Sequence, residues 1–210
     1  MAVNGNIAAV LLAAGRSRRM GAFKPLLPWG SVSVVEACVE SLRGAGVLEV
    51  VVVVGKRGAE VRAALAHVPA LRFAVNEEAG SEMGVSLARG VEALREETSA
   101  VLVALVDHPA VPPSEVRRLI EARRSTGARL VVPEWQGRGG HPVLVDLAFR
   151  AELLSLSPEK GLRALFDAQR AEVLRVPADS PYVARDMDTW EDYLALHTEV
   201  FGPPPSSFRG

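Results

Sequence analysis

Several cations stand close together near the amino end of the chain, in a stretch that holds no acid. They are Arg16, Arg18, Arg19 and Lys24. Gly15 and Gly21 let the backbone approach a ligand closely, and exposed N–H groups there can form an anion-binding nest. A solvated basic loop is the other interpretation of such a cluster. The position directly after an apolar run, where open α/β sheets bind nucleotides, favours a polyphosphate site.

This basic loop lacks the spacing of two common nucleotide-binding motifs. The P-loop pattern Gly-x-x-x-x-Gly-Lys-Ser/Thr is missing from it, and so is the dinucleotide-binding pattern Gly-x-Gly-x-x-Gly. A kinase or a dehydrogenase function is therefore disfavoured.

Carboxylates with suitable positions for a metal occur later in the chain. Asp107 follows an apolar run and precedes Pro109, so its side chain should project into a crevice at the end of a strand. A buried carboxylate needs a cation, and Mg²⁺ prefers one or two carboxylates together with phosphate oxygens and water. Asp186 is the candidate second ligand. Asp188, two residues further on, would share its face in a strand, although helix capping or pairing with an arginine also explains this residue.

We expect the strands of a sheet to position these residues. The chain contains apolar runs of the kind that is buried on both faces of a parallel sheet. The predicted strands are 7–13, 50–54 and 101–106, with weaker candidates at 71–75, 129–132 and 143–145. Segments with helical spacing are 32–42, 59–65, 85–94, 114–122, 158–168 and 189–197. The alternation predicts an α/β fold with a mostly parallel sheet, helices on both faces and a ligand crevice at the carboxyl ends of the strands.

Composition sets limits on the function. The 210 residues can bury one substantial core, and 24 basic against 25 acidic residues leave no face committed to nucleic acid. The lone cysteine, Cys38, excludes an internal disulfide and is expected in the core. We see neither a secretory signal nor an apolar stretch of about 18 residues, so a cytoplasmic protein without a membrane partner is expected. Residues 202–210 should form a flexible tail after a single domain, 1–201.

The basic loop resembles the signature of the MobA-like nucleotidyltransferases, which reads Leu-Ala-Ala-Gly-x-Ser-x-Arg-Met-Gly-x-x-Lys and corresponds here to residues 12–24. Further segments match in the family's order, and the similarity extends over about residues 7 to 196. These segments are 25–30, Asn76 with 83–87, 106–109, 140–143 and 186–192. Val106 and His108 depart from the family's Gly-Asp-Gln-Pro segment, so base preference or rate could differ.

The resemblance implies a three-layer α/β/α, Rossmann-like fold of the nucleotide-diphospho-sugar transferase type, and it is closest to the molybdenum cofactor cytidylyltransferases. The implied activity is Mg²⁺-dependent transfer of a nucleotidyl group, from CTP by preference, to a phosphorylated acceptor such as the molybdenum-pterin cofactor. A molybdoenzyme of the xanthine dehydrogenase kind is a candidate partner. A guanylyltransferase, a sugar- or polyol-phosphate nucleotidyltransferase and a non-catalytic cofactor carrier remain alternatives.

The family's motifs also assign roles to individual residues of this chain. Lys24, Arg19 and Asp107 are the expected catalytic residues, and Asp107 and Asp186 the expected metal ligands. The expected nucleotide- or acceptor-binding residues are Leu12, Ala13, Ala14, Gly15, Arg16, Ser17, Met20, Gly21, Asn76, Ser86, His108 and His141. Trp29 and Trp135 are candidates to line the acceptor site, whereas His197 is expected on the surface of the last helix.

Overall fold

The computed structural model describes residues 5–15, 19–78, 83–157 and 161–202. Strands and helices alternate through most of this part of the chain. The strands are β1 Asn6–Ala13, β2 Pro28–Trp29, β3 Val32–Ser33, β4 Glu49–Val54, β5 Leu71–Val75, β6 Thr98–Leu105, β7 Leu130–Trp135, β8 Arg138–Gly139, β9 Val143–Asp146 and β10 Val173–Pro177. The helices are α1 Val34–Gly44, α2 Gly58–Ala64, α3 Met83–Glu92, α4 Pro113–Thr126, α5 Arg150–Leu154, α6 Leu162–Ala168 and α7 Trp190–Phe201.

The central sheet has the strand order β10-β7-β9-β6-β1-β4-β5, and β8 pairs with β7 at its side. Strand β1 runs parallel to both of its neighbours, β6 and β4, and β5 continues the parallel arrangement. The exceptions are β9, which pairs antiparallel with β6 and with β7, and the two-residue β8, which pairs antiparallel with β7. The predicted mostly parallel sheet is confirmed, and the loops that follow β1, β4 and β6 meet at one edge.

Successive side chains of the central strands enter two different apolar clusters. In β1, Leu11 belongs to one cluster and Val10 to the other, and in β4 the same holds for Val52 and Val53. Helices α1, α2, α4 and α7 pack in the first cluster, and α3, α5 and α6 pack in the second. The sheet therefore lies between two helical layers, which confirms the three-layer α/β/α architecture and explains why β1 and β4 are apolar at every position after their first residue.

Local sequence signals account for the starts of two helices that matter below. Helix α1 begins after Ser33, whose hydroxyl and Glu36 form a reciprocal capping box; the predicted helix start at residue 32 was therefore two residues too early. The capping box expected from Thr189 and Asp192 is confirmed at the start of α7. The side chain of Asp192 accepts from the backbone N–H of Thr189 at 2.8 Å.

Some elements were not predicted from the sequence. Strand β10 and helix α5 are short and carry no strong apolar period, and β10 is recognisable only by its parallel pairing with β7. Residues 158–160 of the predicted helix 158–168 lie outside the described residues, as do residues 203–210 of the expected tail. Among the described residues, every helix is too short or too polar to cross a membrane.

Candidate active site

A cleft of about 850 Å³ opens at the carboxyl ends of β1, β4 and β6. These three strands are neighbours, so the loops that follow them form the walls. A side chain at Gly55 would place its Cβ 2.9 Å from the carbonyl oxygen of Ala14, so glycine permits the loops after β4 and β1 to touch. The cleft is lined by Leu12, Ala14, Gly15, Arg19, Gly21, Ala22, Phe23, Lys24, Gly55, Lys56, Arg57, Asn76, Glu77, Glu78, Met83, Ser86, Leu105, Val106, Asp107 and Asp188.

The basic loop brings Lys24 into a cluster of charges at the bottom of this cleft. Although Lys24 is buried, its Nζ donates to Asp188 Oδ1 at 2.8 Å and lies 4.0 Å from Asp107 Oδ2. Arg19 approaches the same carboxylate from the solvent side, with Nη1 2.8 Å from Asp188 Oδ2. Two of the predicted catalytic cations, from the amino end of the chain, therefore meet a carboxylate from its far end.

Asp107 is placed as the sequence predicts, just after β6 and on the cleft wall. Burial raises the pKa of its carboxyl group, the charges of His108 and Lys24 oppose that rise, and the carboxylates of Asp186 and Asp188 add to it. Its Oδ1 atom is buried and has no hydrogen-bond partner in the part of the chain that the structure describes. A buried carboxylate in this condition is costly unless a cation compensates it.

This donor set fits a divalent hard cation. Mg²⁺ takes one or two carboxylates and completes its shell with phosphate oxygens and water. In the described ranges, no group of three or more His, Cys, Asp or Glu is arranged to hold a metal by itself. Asp186 is exposed and does not line the cleft, but its charge reaches Asp107. Its role as second ligand stays a prediction.

Asn76 and Ser86 line the wall of the cleft that follows β5. Both side chains are buried, and Asn76 Nδ2 donates to Ser86 Oγ at 2.8 Å. The backbone N–H of Asn76 donates to the carbonyl oxygen of Val54, at the end of β4. A fixed amide and hydroxyl of this kind can present polar atoms to a base or a ribose, and the nucleoside contact expected from the sequence stays a prediction.

The structure does not place all of the predicted site residues on the cleft. Leu12, Ala14, Gly15, Arg19, Gly21, Lys24, Asn76, Ser86 and Asp107 line it, whereas Arg16 and Ser17 lie outside the described residues. Ala13 points into the first apolar cluster from β1, and Met20 is buried in the same cluster. Packing against the helical layer therefore accounts for Ala13 and Met20 without a ligand.

His108 and His141 lie behind the cleft and border a small cavity of about 20 Å³ together with Cys38. Their rings are 5.4 Å apart, and His141 Nδ1 is 3.4 Å from the carbonyl oxygen of Val103. Burial, reinforced by His108, lowers the pKa of His141 to about 4, so this ring is neutral at pH 7. Cys38 is buried as expected, and burial raises the pKa of its thiol.

Aromatic residues near the last helix pack together and do not line the cleft. Trp29 is buried against Phe201 and His197, with ring centroids 5.2 and 5.7 Å apart, and Trp135 packs against the first apolar cluster. Neither tryptophan lines the cleft, and their expected place at the acceptor site stays a prediction. The expectation that His197 lies on the surface was wrong: it is buried, because α7 docks on the hairpin of β2 and β3 through this aromatic group.

Sequence reasoning missed Lys56 and Arg57, two exposed cations that line the cleft after β4. The guanidinium of Arg57 stacks over Phe23 at 4.2 Å and binds Glu60 through two hydrogen bonds of 2.6 Å. The rule that directed attention to the loop after β1, namely that ligands lie at the carboxyl ends of parallel strands, would have found both residues.

A parallel sheet with a cationic loop after one strand and a carboxylate after its neighbour defines a nucleotide-binding α/β protein of the Rossmann-like type. The model of the family described as the MobA-like NTP transferase domain matches residues 9–176. The chain therefore belongs to the MobA-like NTP transferases, which transfer nucleotidyl groups with the help of a divalent metal.

Two curated proteins are similar over almost their whole length. Nicotine blue oxidoreductase of Paenarthrobacter nicotinovorans is 31% identical over 199 residues, which cover 90% of this chain and 96% of that protein. A probable molybdenum cofactor guanylyltransferase of Mycobacterium avium is 30% identical over 203 residues, which cover 93% of this chain and 98% of that protein.

The fold is also that of the Rv0371c protein of Mycobacterium tuberculosis. Its crystal structure matches with a TM-score of 0.82 and 30% identity, covering 91% of this chain and 97% of that one. A structure of the same protein in complex with manganese matches with a TM-score of 0.79 and 28% identity, with the same coverage of both chains.

Proposed function

We propose that this chain transfers a nucleoside monophosphate from a nucleoside triphosphate, CTP by preference, to the phosphate of a molybdenum-pterin cofactor and releases pyrophosphate. The family supports nucleotidyl transfer. The identities of the base and of the acceptor go beyond what the family supports.

One observation carries the proposal. Lys24 and Arg19, which both contact Asp188, converge with Asp107 on a single cleft at the ends of β1 and β6, and Lys24 Nζ is 4.0 Å from Asp107 Oδ2. Cationic side chains can bind one side of a polyphosphate directly. A carboxylate can hold the metal ion that neutralises the charge on its other side. A carrier of a finished cofactor would need no such carboxylate.

Each residue has a distinct task in the transfer. An oxygen of the acceptor phosphate attacks the α-phosphorus, a new P–O bond forms, the bond to the β-bridging oxygen breaks, and pyrophosphate leaves with that electron pair. The attacking phosphate is already ionised at neutral pH, so the reaction requires no general base. Lys24 stabilises the charge that develops on the α- and leaving β-phosphate oxygens, and Arg19 holds the triphosphate in place.

Asp107, with Asp186 as the proposed second carboxylate, would hold the divalent cation. When bound, that cation neutralises phosphate charge and aligns the leaving group. The protein holds Asp107 ready for this task at a cost, because its carboxylate is buried and its Oδ1 atom, 3.7 Å from His108 Nε2, accepts no hydrogen bond from the described residues. Asn76 and Ser86, on the wall after β5, are the proposed contacts to the nucleoside.

Sequence similarity alone does not determine which nucleotide base the protein prefers. The preference for CTP rests on the resemblance of the loop 12–24 and of the segments after it to the cytidylyltransferase branch, whereas a relative at 30% identity bears the name guanylyltransferase. The acceptor rests on that relative and on the same resemblance. Both points require a direct assay.

Pyrophosphate release should be measured with CTP, GTP, ATP and UTP, each with and without the purified molybdenum-pterin cofactor. We expect release that requires both CTP and the cofactor, and we expect it to stop in Asp107→Asn. Release with GTP in preference to CTP would move the assignment to guanylyl transfer. Absence of release with every pair would reject transfer to this acceptor and favour a carrier, or a redox function such as the name of the nicotine blue relative denotes.

A further inference from the structure

The imidazole of His108 lies directly behind the carboxylate of Asp107, and the transfer reaction described above assigns it no task. Its Nε2 atom is 3.7 Å from Asp107 Oδ1, which is buried. The other carboxylate oxygen, Oδ2, is 4.0 Å from Nζ of Lys24, a residue that lines the cleft. The two oxygens of Asp107 therefore have different neighbours: an imidazole behind the cleft, and an ammonium group within it.

The backbone that carries His108 is held in place by contacts that do not involve its ring. Helix α1 holds the turn after β6 at two points. Cys38 Sγ donates to the carbonyl oxygen of Val106 at 3.7 Å. Ser41 Oγ donates to the carbonyl oxygen of Val111 at 2.6 Å. A different side chain at residue 108 should therefore leave the path of this turn unchanged.

The surroundings of the His108 ring favour a proton on Nε2. An ionised carboxylate only accepts hydrogen bonds, so a bare Nε2 would set its lone pair against those of Asp107 Oδ1. The side chain of His108 is 9% exposed, and its Nδ1 atom is buried with no hydrogen-bond partner in the part of the chain that the structure describes. With the proton on Nε2, no N–H group of the ring is buried without an acceptor on that side.

The distance between the two side chains is too long for a hydrogen bond in the ligand-free protein. An N–H···O hydrogen bond spans about 2.7 to 3.2 Å, so a shift of about 0.5 Å would bring His108 Nε2 and Asp107 Oδ1 into that range. Hydrogen bonds of active-site groups are often long before the ligand is bound and shorten in the complex. We therefore expect this contact to shorten when the cleft is occupied.

We propose that His108 is a positioning residue for the metal site: its Nε2–H donates to Asp107 Oδ1 when the divalent cation is bound, and this bond holds Oδ2 toward the cleft. Carboxylates that bind metals are commonly oriented by such a bond, and its loss lowers metal affinity about 10- to 100-fold. The inference rests on the proposed function in one respect, since it takes Asp107 as a metal ligand. It gives His108 itself no place among the ligands.

The inference is tested by titration with Mn²⁺ in the absence of nucleotide, with EPR measuring the concentration of free Mn²⁺. His108→Leu removes the donor and keeps a side chain of similar size, and we expect it to bind Mn²⁺ at least about 10-fold more weakly than the wild type. His108→Gln keeps an N–H group at the end of the side chain, and we expect its affinity to stay within about 3-fold of the wild type. Thermal unfolding shows whether each variant is folded.

His67→Leu is the matched control, because it removes an exposed imidazole that is 3.4 Å from Glu36 and does not line the cleft. We expect its Mn²⁺ affinity to equal that of the wild type. Equal weakening in His67→Leu and His108→Leu would overturn the inference, and so would equal weakening in the two variants of His108. Unchanged or tighter binding in His108→Leu would also contradict it.

Asp107→Asn separates the failure of this inference from the failure of the proposed function. If Asp107→Asn binds Mn²⁺ as tightly as the wild type, or if the wild type binds none, the metal site of the proposed function fails and the inference fails with it. If binding is lost in Asp107→Asn but unchanged in His108→Leu, the inference alone is wrong.

The hydrogen bond can also be observed by NMR in the wild-type protein with ¹⁵N-labelled histidine. We expect the ring of His108 to carry its proton on Nε2, with the signal assigned by its loss in His108→Gln. That proton should exchange with water more slowly in Mg²⁺ than in EDTA, because the bond to Asp107 shortens. A proton on Nδ1 alone, or an exchange rate that Mg²⁺ leaves unchanged, would refute the inference even if His108→Leu did not fold.

Discussion

Two largely buried ion pairs in this protein each join one cation to one carboxylate, but the surroundings of the two carboxylates differ. Arg123 of α4 donates to Asp146 at 2.6 Å and to the carbonyl oxygen of Ala128 at 3.1 Å. The other carboxylate oxygen of Asp146 accepts from the backbone N–H of Ala148 at 2.7 Å. In the pair of Lys24 and Asp188, by contrast, the same carboxylate also reaches an exposed arginine. Asp107 stands close by, and its Oδ1 atom accepts no hydrogen bond from the described residues, although His108 Nε2 is 3.7 Å away.

The difference separates a structural ion pair from a binding site. At Arg123 and Asp146, both carboxylate oxygens have partners within the protein, so the pair joins α4 to the end of β9 and has little left to offer a ligand. At the cleft, the Oδ1 atom of Asp107 accepts no hydrogen bond from the described residues. Protein groups that stay under-satisfied when buried are costly, and such groups are typical of sites that a ligand completes.

The largest effect should follow from removing the cation of the cleft. We expect Lys24→Ala to lower kcat about 10²- to 10³-fold and to weaken nucleotide binding far less, because the lost donor acts on charge that develops in the transition state. Lys56→Ala is the control: this lysine lines the same cleft but is exposed and belongs to no such cluster. Single-turnover release of pyrophosphate measures the rate of the transfer step in both variants. An unchanged kcat in Lys24→Ala would remove the role assigned to this residue.

Breaking the structural pair should instead cost stability. Arg123→Ala leaves the Asp146 carboxylate largely buried and without its cation, and we expect a loss of about 3 kcal/mol in the free energy of unfolding. Arg163→Ala, on α6 and with an exposed pair to Asp167, should lose about 0.5 kcal/mol or less. Urea denaturation compares the two. Equal losses would show that burial does not distinguish these pairs, and a large fall in kcat of folded Arg123→Ala would contradict its purely structural role.

The smallest effect, and one of opposite sign, is expected at the metal-binding carboxylate. Burial raises the pKa of Asp107, so its charged form is disfavoured in the folded protein at neutral pH. Asp107→Asn should therefore gain about 1 kcal/mol of stability in EDTA at pH 7 while losing activity. The gain should shrink as the pH falls through the raised pKa of the folded state, and it should vanish below the unfolded pKa of about 3.9, where the carboxyl group is protonated in both states. Urea denaturation at several pH values tests this, and a destabilised variant would contradict it.

Much of the fold and part of the site could be predicted from local sequence. The runs 7–13, 50–54 and 101–106 identify the central strands, because a strand covered on both faces must be apolar at every position. The capping box at Thr189 could also be predicted, because it involves residues only three positions apart. Strand β10 and the burial of His197 could not be predicted, because each depends on which distant element packs against it.

The sequence by itself determined the layered α/β fold, the cationic loop after β1 and the place of Asp107 at the end of β6, since each follows from periodicity or from neighbours along the chain. Only the tertiary structure decided that Lys24 takes its carboxylate from Asp188, a residue 164 positions away. That contact exists because the segment before α7 docks on the end of β6 through the N–H of Met187. Docking of this kind depends on the shape of the whole core, which no local pattern contains.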